Sequence, residues 1–360
     1  MNIGHSDPRW NEVAKVLVDY STGVTAQDNV LVIMRETETH AAARAVARRC
    51  IEHGAYVQTL FQSTSMQRDL LSYGTEEQIG RVPDVWDAAM RWADVCIDLR
   101  GARNLHEFAG IPTERVARMR RAEGAISALR TSTTRWTLLR IPNEAMAQQA
   151  GKSTDEIEQF FFDSVLQDWV GESRRYEAMR DALTGTEHVR IEGMGTDVSF
   201  STAGRTFVVD DGHINMPGGE IYTSPVEESV NGVITFENPG VFAGILMEEI
   251  RLEFRDGVVV DATARTNEDF LLQLLDMDAG ARRVGEFGIG TNRKIDFFVS
   301  DILLDEKILG TVHFALGRSY AECGGVNQSS LHWDIVKDLR TRGRITMDGK
   351  PVFENGSWTV

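Results

Sequence analysis

The sequence predicts two domains: an α/β domain with a mainly parallel sheet at residues 1–185, and a β-rich, barrel-like domain at residues 186–360. Up to about residue 185, short apolar runs alternate with helical patterns, which is typical of strand–helix–strand units with right-handed crossovers. From His188 onward, alternating strands and glycine turns replace that pattern. The chain of 360 residues is also longer than one hydrophobic core usually grows, which favours two domains.

The first half reads as an alternating series of strands and helices. Apolar runs predict buried strands at residues 30–34, 55–62, 94–101 and 136–142. Helical spacing of apolar residues precedes or separates these runs at residues 10–20, 37–54, 83–93, 103–130 and 143–169. The stretch QDNVLVIMRETETH around the first strand contains neither GxGxxG nor GxxxxGK[ST]. A nucleotide-binding role for this half is therefore only weakly supported.

The second half is predicted to consist mainly of antiparallel strands. Strand-like alternation with glycine turns runs through residues 188–225, 230–239, 243–264 and 286–296. The dipeptide Asp256-Gly257, between IRLEF and VVVDA, predicts a tight hairpin turn. One inserted helix is predicted near residues 267–276. Such a series is typical of a barrel-like closure.

Composition excludes some classes of partner. The formal net charge is -16 at pH 7, whereas nucleic-acid binding requires a basic surface. No apolar run approaches the length of a membrane span, and the first residues lack the basic start and apolar run of a secretory signal. Three cysteines, Cys50, Cys96 and Cys323, form no CxxC pair, which is typical of a reducing compartment. We therefore predict a cytoplasmic protein without nucleic-acid or membrane partners.

Potential metal ligands are concentrated in residues 312–337. His313 and His332 lie within this stretch, and Asp334 follows two residues after the second histidine. Residues i and i+2 of a strand project from one face, so His332 and Asp334 can bind one ion together. Tyr320 lies between the two histidines and precedes a Gly-Gly pair. Taken alone, His313 is better explained as a core histidine, and Tyr320 as a packed aromatic residue with a bonded hydroxyl.

Two glutamates in glycine-rich contexts are the best additional ligands. Glu220 follows NMPGG, and Glu286 stands in VGEFGIGTN among apolar residues and glycines. A carboxylate in such a strand is costly to bury unless it is paired or bound to a metal, and a buried salt bridge is the alternative explanation. His213 and Glu306 are weaker candidates for residues that orient a ligand, and a solvated turn explains Glu306 equally well.

The combined set contains two glutamates, two histidines and one aspartate, without a thiolate. Such ligands suit Zn, Mn, Co or Fe in a hydrolytic or oxygen-handling site rather than a structural zinc cluster. If one carboxylate bridges, the three carboxylates neutralise much of the charge of two divalent ions.

The chain resembles the M29 family of metallo-aminopeptidases, of the aminopeptidase T type. The resemblance is carried, in order, by NMPGGEIYTSPVEESVNG, GEFGIGTN, DEKILGTVHFALGRSY and SSLHWDIV, with weaker support from LLRIPNEAMAQQAG and GTDVSFS. It covers the chain well from about residue 136 to the end and more loosely before that. The span between Tyr320 and His332 is shorter than in better-known members, and we expect this compact loop to reshape the substrate cavity.

The resemblance implies a hydrolase that removes the N-terminal residue of a peptide with a water activated by two divalent ions (Zn, Co or Mn). It also implies a homodimer, a bridging role for Glu286, and a catalytic role for Tyr320 as a ligand or hydrogen-bond donor in the transition state. The implied ligands are Glu220, Glu286, His313, His332 and Asp334.

Three alternatives stay open from the sequence. The chain also resembles, more distantly, the Fe(II)-dependent 2,5-dihydroxypyridine dioxygenases, which keep the HxD pair but have a histidine where this chain has Glu286. A single iron could still be held by His313, His332 and Asp334. The same apparatus could hydrolyse a small aromatic amide or amine, and a binding protein could retain the fold without activity. No GxSxG sequence is present, which argues against a serine hydrolase.

Overall fold

The computed structural model describes residues 7–359, which form two compact units. The first unit comprises the chain up to Gln167 together with Gly212–Pro217, and the second comprises Asp168–Asp211 and the chain from Gly218 onward. The predicted boundary near residue 185 stays a prediction, because compactness does not test whether either part folds alone. Among the described residues, no helix is both long and apolar enough to cross a membrane.

The first unit contains eight α-helices and five strands among its described residues. The helices are α1 Arg9–Lys15, α2 His40–Glu52, α3 Thr64–Tyr73, α4 Glu76–Gly80, α5 Asp84–Trp92, α6 Thr113–Thr133, α7 Glu144–Ala150 and α8 Thr154–Val165. A π-helical segment, Val16–Ser21, and a 3-10 turn, Thr37–Thr39, lie between them. The strands are β1 Asn29–Arg35, β2 Tyr56–Gln62, β3 Val95–Arg100, β4 Arg135–Arg140 and β8 Asn215–Met216.

These five strands form one parallel sheet in the order β2-β1-β3-β4-β8, which confirms the predicted parallel α/β architecture. Residues 30–33 of β1 are all buried, as expected for a strand covered on both faces. The predicted first helix begins as α1 but continues as a π-helical segment. Helices α3 and α4 were not predicted, although the Thr75–Gln78 capping box of α4 is a readable helix-start signal.

The second unit contains three helices and fifteen strands among its described residues. The helices are α9 Trp169–Leu183, α10 Glu268–Leu275 and α11 Ile302–Asp305. Strands β5–β14, apart from β8, are β5 His188–Gly193, β6 Thr196–Ser201, β7 Val208–Asp210, β9 Glu220–Thr223, β10 Asn231–Phe236, β11 Gly240–Phe242, β12 Ile245–Met247, β13 Ile250–Arg255 and β14 Val258–Thr263. The remaining strands are β15 Val284–Gly290, β16 Thr311–Gly317, β17 His332–Asp338, β18 Arg344–Met347, β19 Lys350–Glu354 and β20 Ser357–Trp358.

Two antiparallel sheets dominate this unit, which confirms the predicted β-rich second half. One has the order β14-β13-β10-β6-β5-β18-β19-β20 and the other the order β17-β16-β15-β9-β7. Both contribute to one hydrophobic core, in which Phe200 and Phe314 pack edge to face against Phe287. The two sheets surround this shared core, and a barrel-like closure of the strands stays a prediction. The predicted hairpin joins β13 and β14, with positive φ at Asp256 and Gly257.

Asp98 on β3 is a buried carboxylate that forms ion pairs with three arginines, Arg35, Arg100 and Arg130. It accepts hydrogen bonds from Arg35 Nε at 2.7 Å and from Arg130 Nη1 at 3.2 Å, and its side chain is fully buried. Burial alone raises the pKa of Asp98, but the arginines outweigh burial and hold it below its ordinary value.

Asp98→Asn should lower the free energy of unfolding by about 3 kcal/mol at pH 7, because it leaves buried guanidinium groups without their anion. Since the folded-state pKa of Asp98 is lowered, its contribution is present at neutral pH and is lost as the pH falls through that pKa. Chemical denaturation at pH 7 and in acid measures both effects, with the exposed Asp197→Asn as control. An equal, small loss in both variants would contradict a structural role for Asp98.

Candidate metal centre

The predicted site residues lie on one face of the sheet β17-β16-β15-β9-β7. Residues two apart in a strand share a face, and so do paired residues on antiparallel neighbours. Glu286 pairs with Ala315, which pairs in turn with Asp334, while His313 pairs with Gly288. The register therefore places residues from three separate strands side by side, although they are far apart in sequence.

The remaining two predicted ligands lie at the edges of this group. Glu220, the first residue of β9, pairs with Gly290 of β15, and His332, the first residue of β17, pairs with Gly317 of β16. Tyr222 shares the face of Glu220, two residues along β9. All five residues predicted as ligands are thus brought to one place within the second unit.

Small residues leave space on this face for the larger polar side chains. A side chain at Gly288 would overlap the imidazole of His313, and one at Gly290 would meet the backbone oxygens of Ile308 and Glu306. Glycine at these two positions is therefore required by close approach rather than by a turn. The sequence signal is alternation along a strand: a ligand candidate is followed by small residues at i+2 and i+4.

Glu286 stands between the two histidines. Its Oε1 lies 3.4 Å from His313 Nε2, and its Oε2 lies 3.4 Å from His332 Nε2. Asp334 Oδ1 lies 3.6 Å from the same His332 nitrogen. The two carboxylate oxygens of Glu286 therefore face different imidazoles, which is the arrangement a bridging carboxylate needs.

Glu220 belongs to a more deeply buried part of the cluster. Its Oε2 lies 3.8 Å from His313 Nε2, and its Oε1 lies 3.7 Å from the ammonium of Lys307. Lys307 is completely buried and also contacts Asp210 Oδ2 at 3.1 Å and Glu306 Oε1 at 2.8 Å. Sequence analysis missed Lys307 and Asp210. For Glu306, the sequence allowed either a residue that orients a ligand or a solvated turn, and the structure shows that its side chain is buried.

Two tyrosines line the more open side. The Tyr320 hydroxyl lies 3.3 Å from His332 Nε2, and the Tyr222 ring packs on Tyr320 with centroids 5.5 Å apart. His332 Nδ1 donates to the backbone oxygen of Arg318 at 2.9 Å, which directs Nε2 towards the carboxylates. Tyr222 was also missed, although its position two residues after Glu220 could have indicated it. His213, by contrast, belongs to the first unit, where its ring contacts Tyr20.

The electrostatics reflect opposite charges held in a buried place. Burial opposes the ionisation of Glu286, but hydrogen bonds with the two histidines lower its pKa to about 2. Burial likewise lowers the pKa of His313, yet Glu286 raises it to about 10, and Asp334 with Glu286 raises the pKa of His332 to about 9. Burial raises the pKa of Asp334 to about 6. The same negative surroundings would favour divalent cations bound between these groups.

The donor set fits divalent metal ions. Glu220 Oε2 and His313 Nδ1 are buried and have no hydrogen-bond partner among the described residues. The donor atoms of Glu220, Glu306 and His313 lie within 4.8 Å of one another, and so do those of Glu286, His313 and Asp334. Oxygen and imidazole donors without thiolate suit Zn, Mn, Co or Fe.

Comparison with known proteins identifies the class of enzyme. The family of thermophilic metalloproteases called M29 matches residues 6–358. The chain therefore belongs to the M29 metalloprotease family, which confirms both the resemblance and the prediction of a metal-dependent hydrolase.

Similar curated proteins carry the name aminopeptidase. Aminopeptidase AmpS of Bacillus subtilis is 25% identical over 411 aligned positions, covering 97% of this chain and 98% of the relative. Aminopeptidase T of Thermus aquaticus is 26% identical over 371 positions, covering 88% of this chain and 90% of the relative.

Solved structures of similar fold include an aminopeptidase of the AmpT type and a 2,5-dihydroxypyridine dioxygenase. Wild-type AmpT from Thermus thermophilus superposes with a TM-score of 0.87 at 22% identity, over 98% of this chain and 99% of that one. The 2,5-dihydroxypyridine dioxygenase of Pseudomonas putida KT2440 superposes with a TM-score of 0.62 at 14% identity, over 99% of both chains. At these identities the likeness establishes the fold alone.

Gly288→Ala should displace the His313 imidazole and weaken metal binding, with a loss of stability of about 1–3 kcal/mol from overpacking. Elemental analysis after dialysis and chemical denaturation measure the two effects. Gly124→Ala, in helix α6 where an added Cβ meets no atom within 4 Å, is the matched control. Full metal content and unchanged stability of Gly288→Ala would contradict the close approach described here.

Proposed function

We propose that this protein is an aminopeptidase whose active site holds two divalent ions, with Glu286 bridging them. The observation that carries the proposal is the placement of the two Glu286 oxygens, each 3.4 Å from a different histidine. Glu220 and His313 flank one ion position, while His332 and Asp334 flank the other. Zn, Co or Mn fits this donor set.

The charge of the cluster supports two ions rather than one. Five carboxylates, those of Asp210, Glu220, Glu286, Glu306 and Asp334, surround the site, and Lys307 supplies one buried positive charge. Burial raises the pKa of Glu220 well above its ordinary value, because an ionised carboxylate is costly at this position unless a nearby cation stabilises it. Two divalent ions would provide that stabilisation.

The ions, when bound, supply an activated water and polarisation of the scissile carbonyl. Among the protein's own groups, His332 is oriented by the Arg318 carbonyl, and its neighbour Tyr320 offers a hydroxyl donor. Burial raises the pKa of Tyr320 above its ordinary value, so the hydroxyl stays protonated. In this proposal, the hydroxyl donates a hydrogen bond to the substrate oxygen on which negative charge develops in the transition state.

A peptidase is favoured over the iron dioxygenase because the chain has Glu286 at the position where the dioxygenase family has histidine. The structural likeness to the dioxygenase extends to the fold and does not supply that histidine. Hydrolysis of a small aromatic amide or amine uses the same groups, and an inactive binding protein would not need five converging ligands.

Elemental analysis of the purified protein should find about two Zn, Co or Mn ions per chain. The protein should also hydrolyse an aminoacyl p-nitroanilide, and this turnover should be lost when the α-amine of the substrate is acetylated. One iron per chain with oxygen uptake on 2,5-dihydroxypyridine would refute the proposal.

Glu286→Gln should lose at least one ion and reduce kcat by about 10²-fold or more, because a bridging oxygen is removed. The exposed Glu187→Gln is the control.

Tyr320→Phe should reduce kcat by about 10²-fold while leaving metal content and KM nearly unchanged, because the hydroxyl acts mainly in the transition state. Tyr222→Phe, whose ring packs on Tyr320, is the matched control and should retain activity. Steady-state kinetics on metal-loaded protein provide the measurement. Loss of metal together with activity in Tyr320→Phe would instead assign the tyrosine a ligand role.

We also propose a homodimer in the cytoplasm, as the family resemblance and the cysteine usage imply. All three cysteines are free and buried, which is compatible with a reducing compartment.

A further inference from the structure

A cavity in the first unit lies at the point where the strand order of the parallel sheet reverses. The chain passes from β1 to β2 on one side, and β3 then returns to the other side of β1. In open α/β sheets, ligands bind outside the carboxyl ends of the strands at such a point. Arg35 and Arg100 are the last residues of β1 and β3, and they are paired in register.

The cavity is of ligand size and has an apolar wall. Its volume is about 420 Å³, and it is lined mainly by residues of the sheet and of helices α3, α5 and α6. Ile33, Trp86, Met90 and Met119 form its apolar part, and all four are buried. A volume of this size accommodates a small organic molecule with a hydrocarbon body.

Positive charge predominates on the polar side of the cavity. Arg35, Arg100, Arg120 and Arg130 line it, and Glu123 is the one carboxylate among the lining residues. Three of these arginines also form ion pairs with the buried carboxylate of Asp98. The nitrogen–oxygen distances are 2.7 Å for Arg35, 3.3 Å for Arg100 and 3.2 Å for Arg130. Four guanidinium groups therefore face two carboxylates.

The arginines retain unused hydrogen-bonding capacity. Arg130 Nε is buried and has no acceptor among the described residues. Burial and the neighbouring guanidinium groups lower the pKa of Arg100 to about 10, although Asp98 opposes them. An anion that enters the cavity would satisfy these donors and reduce the repulsion between them.

We propose that this cavity is a binding site for a small organic carboxylate. The carboxylate is held by Arg35, Arg100 and Arg130, and the apolar body packs against Trp86, Met90 and Met119. None of the residues of the metal centre belongs to this cavity, so the site is separate from the one proposed for catalysis.

Isothermal titration of the full-length protein with 3-phenylpropanoate tests the proposal, with 3-phenylpropan-1-ol as the uncharged analogue. We expect one saturable site per chain for the carboxylate and binding at least about tenfold weaker for the alcohol. Equal binding of the two compounds would overturn the proposal. Binding of inorganic phosphate as tight as that of 3-phenylpropanoate would overturn the role of the apolar wall.

Variants locate the site. Gly124 lines the cavity on α6, and a Cβ there meets no atom within 4 Å, so Gly124→Trp should fill the space and abolish binding, while Gly124→Ala should preserve it. Arg120→Gln removes one of the four positive charges that line the cavity without disturbing the three arginines bound to Asp98, so it should weaken binding several-fold. Arg121→Gln, at an exposed neighbour outside the cavity, should leave binding unchanged. Unchanged binding by Gly124→Trp would overturn the proposal.

His332→Ala separates this site from the metal centre, because bound metal ions also attract carboxylates. We expect His332→Ala to bind 3-phenylpropanoate as tightly as the unmodified protein. Loss of binding in this variant would place the carboxylate at the metal centre and overturn the proposal of a separate site. That outcome would not bear on the proposal that the protein is an aminopeptidase.

Discussion

The concentration of buried carboxylates on one face of a sheet is the constraint on which the second unit depends. Asp210, Glu220 and Glu286 are buried on this face, and Glu306, which follows α11, is buried beside them at Lys307. Ionised groups are costly to remove from water unless opposite charge accompanies them. Lys307 answers part of this requirement: burial alone lowers its pKa, but the surrounding carboxylates raise it well above the ordinary value. The histidines can supply further positive charge, and the proposed ions would supply the rest.

The same constraint explains the composition of the strands. A face that gathers imidazoles and carboxylates has no room for ordinary side chains between them, so glycine and alanine occupy the intervening positions of β15 and β16. The opposite face remains fully apolar and packs Phe287 and Phe314 into the core. One strand thus serves packing and chemistry at once, because side chains alternate between its faces.

Much of this arrangement is readable from the sequence, because alternation and glycine spacing are local signals. The parallel strands of the first unit, the Asp256-Gly257 hairpin and the choice of Glu286, His313 and Asp334 as ligand candidates all follow from such patterns. Lys307 could not be recognised, because the sequence DEK is equally typical of a solvated turn and its burial depends on tertiary packing. The pairing of Arg35 with Arg100 is likewise a consequence of strand order, which a local pattern does not contain.

Anomalous X-ray diffraction from crystals of the metal-loaded protein tests the bridging position of Glu286 most directly. If Glu286 bridges two ions, we expect two anomalous peaks per chain, one beside each oxygen of Glu286, with His313 near the first and His332 near the second. A single peak held by His313, His332 and Asp334, with Glu286 bound to nothing, would contradict it.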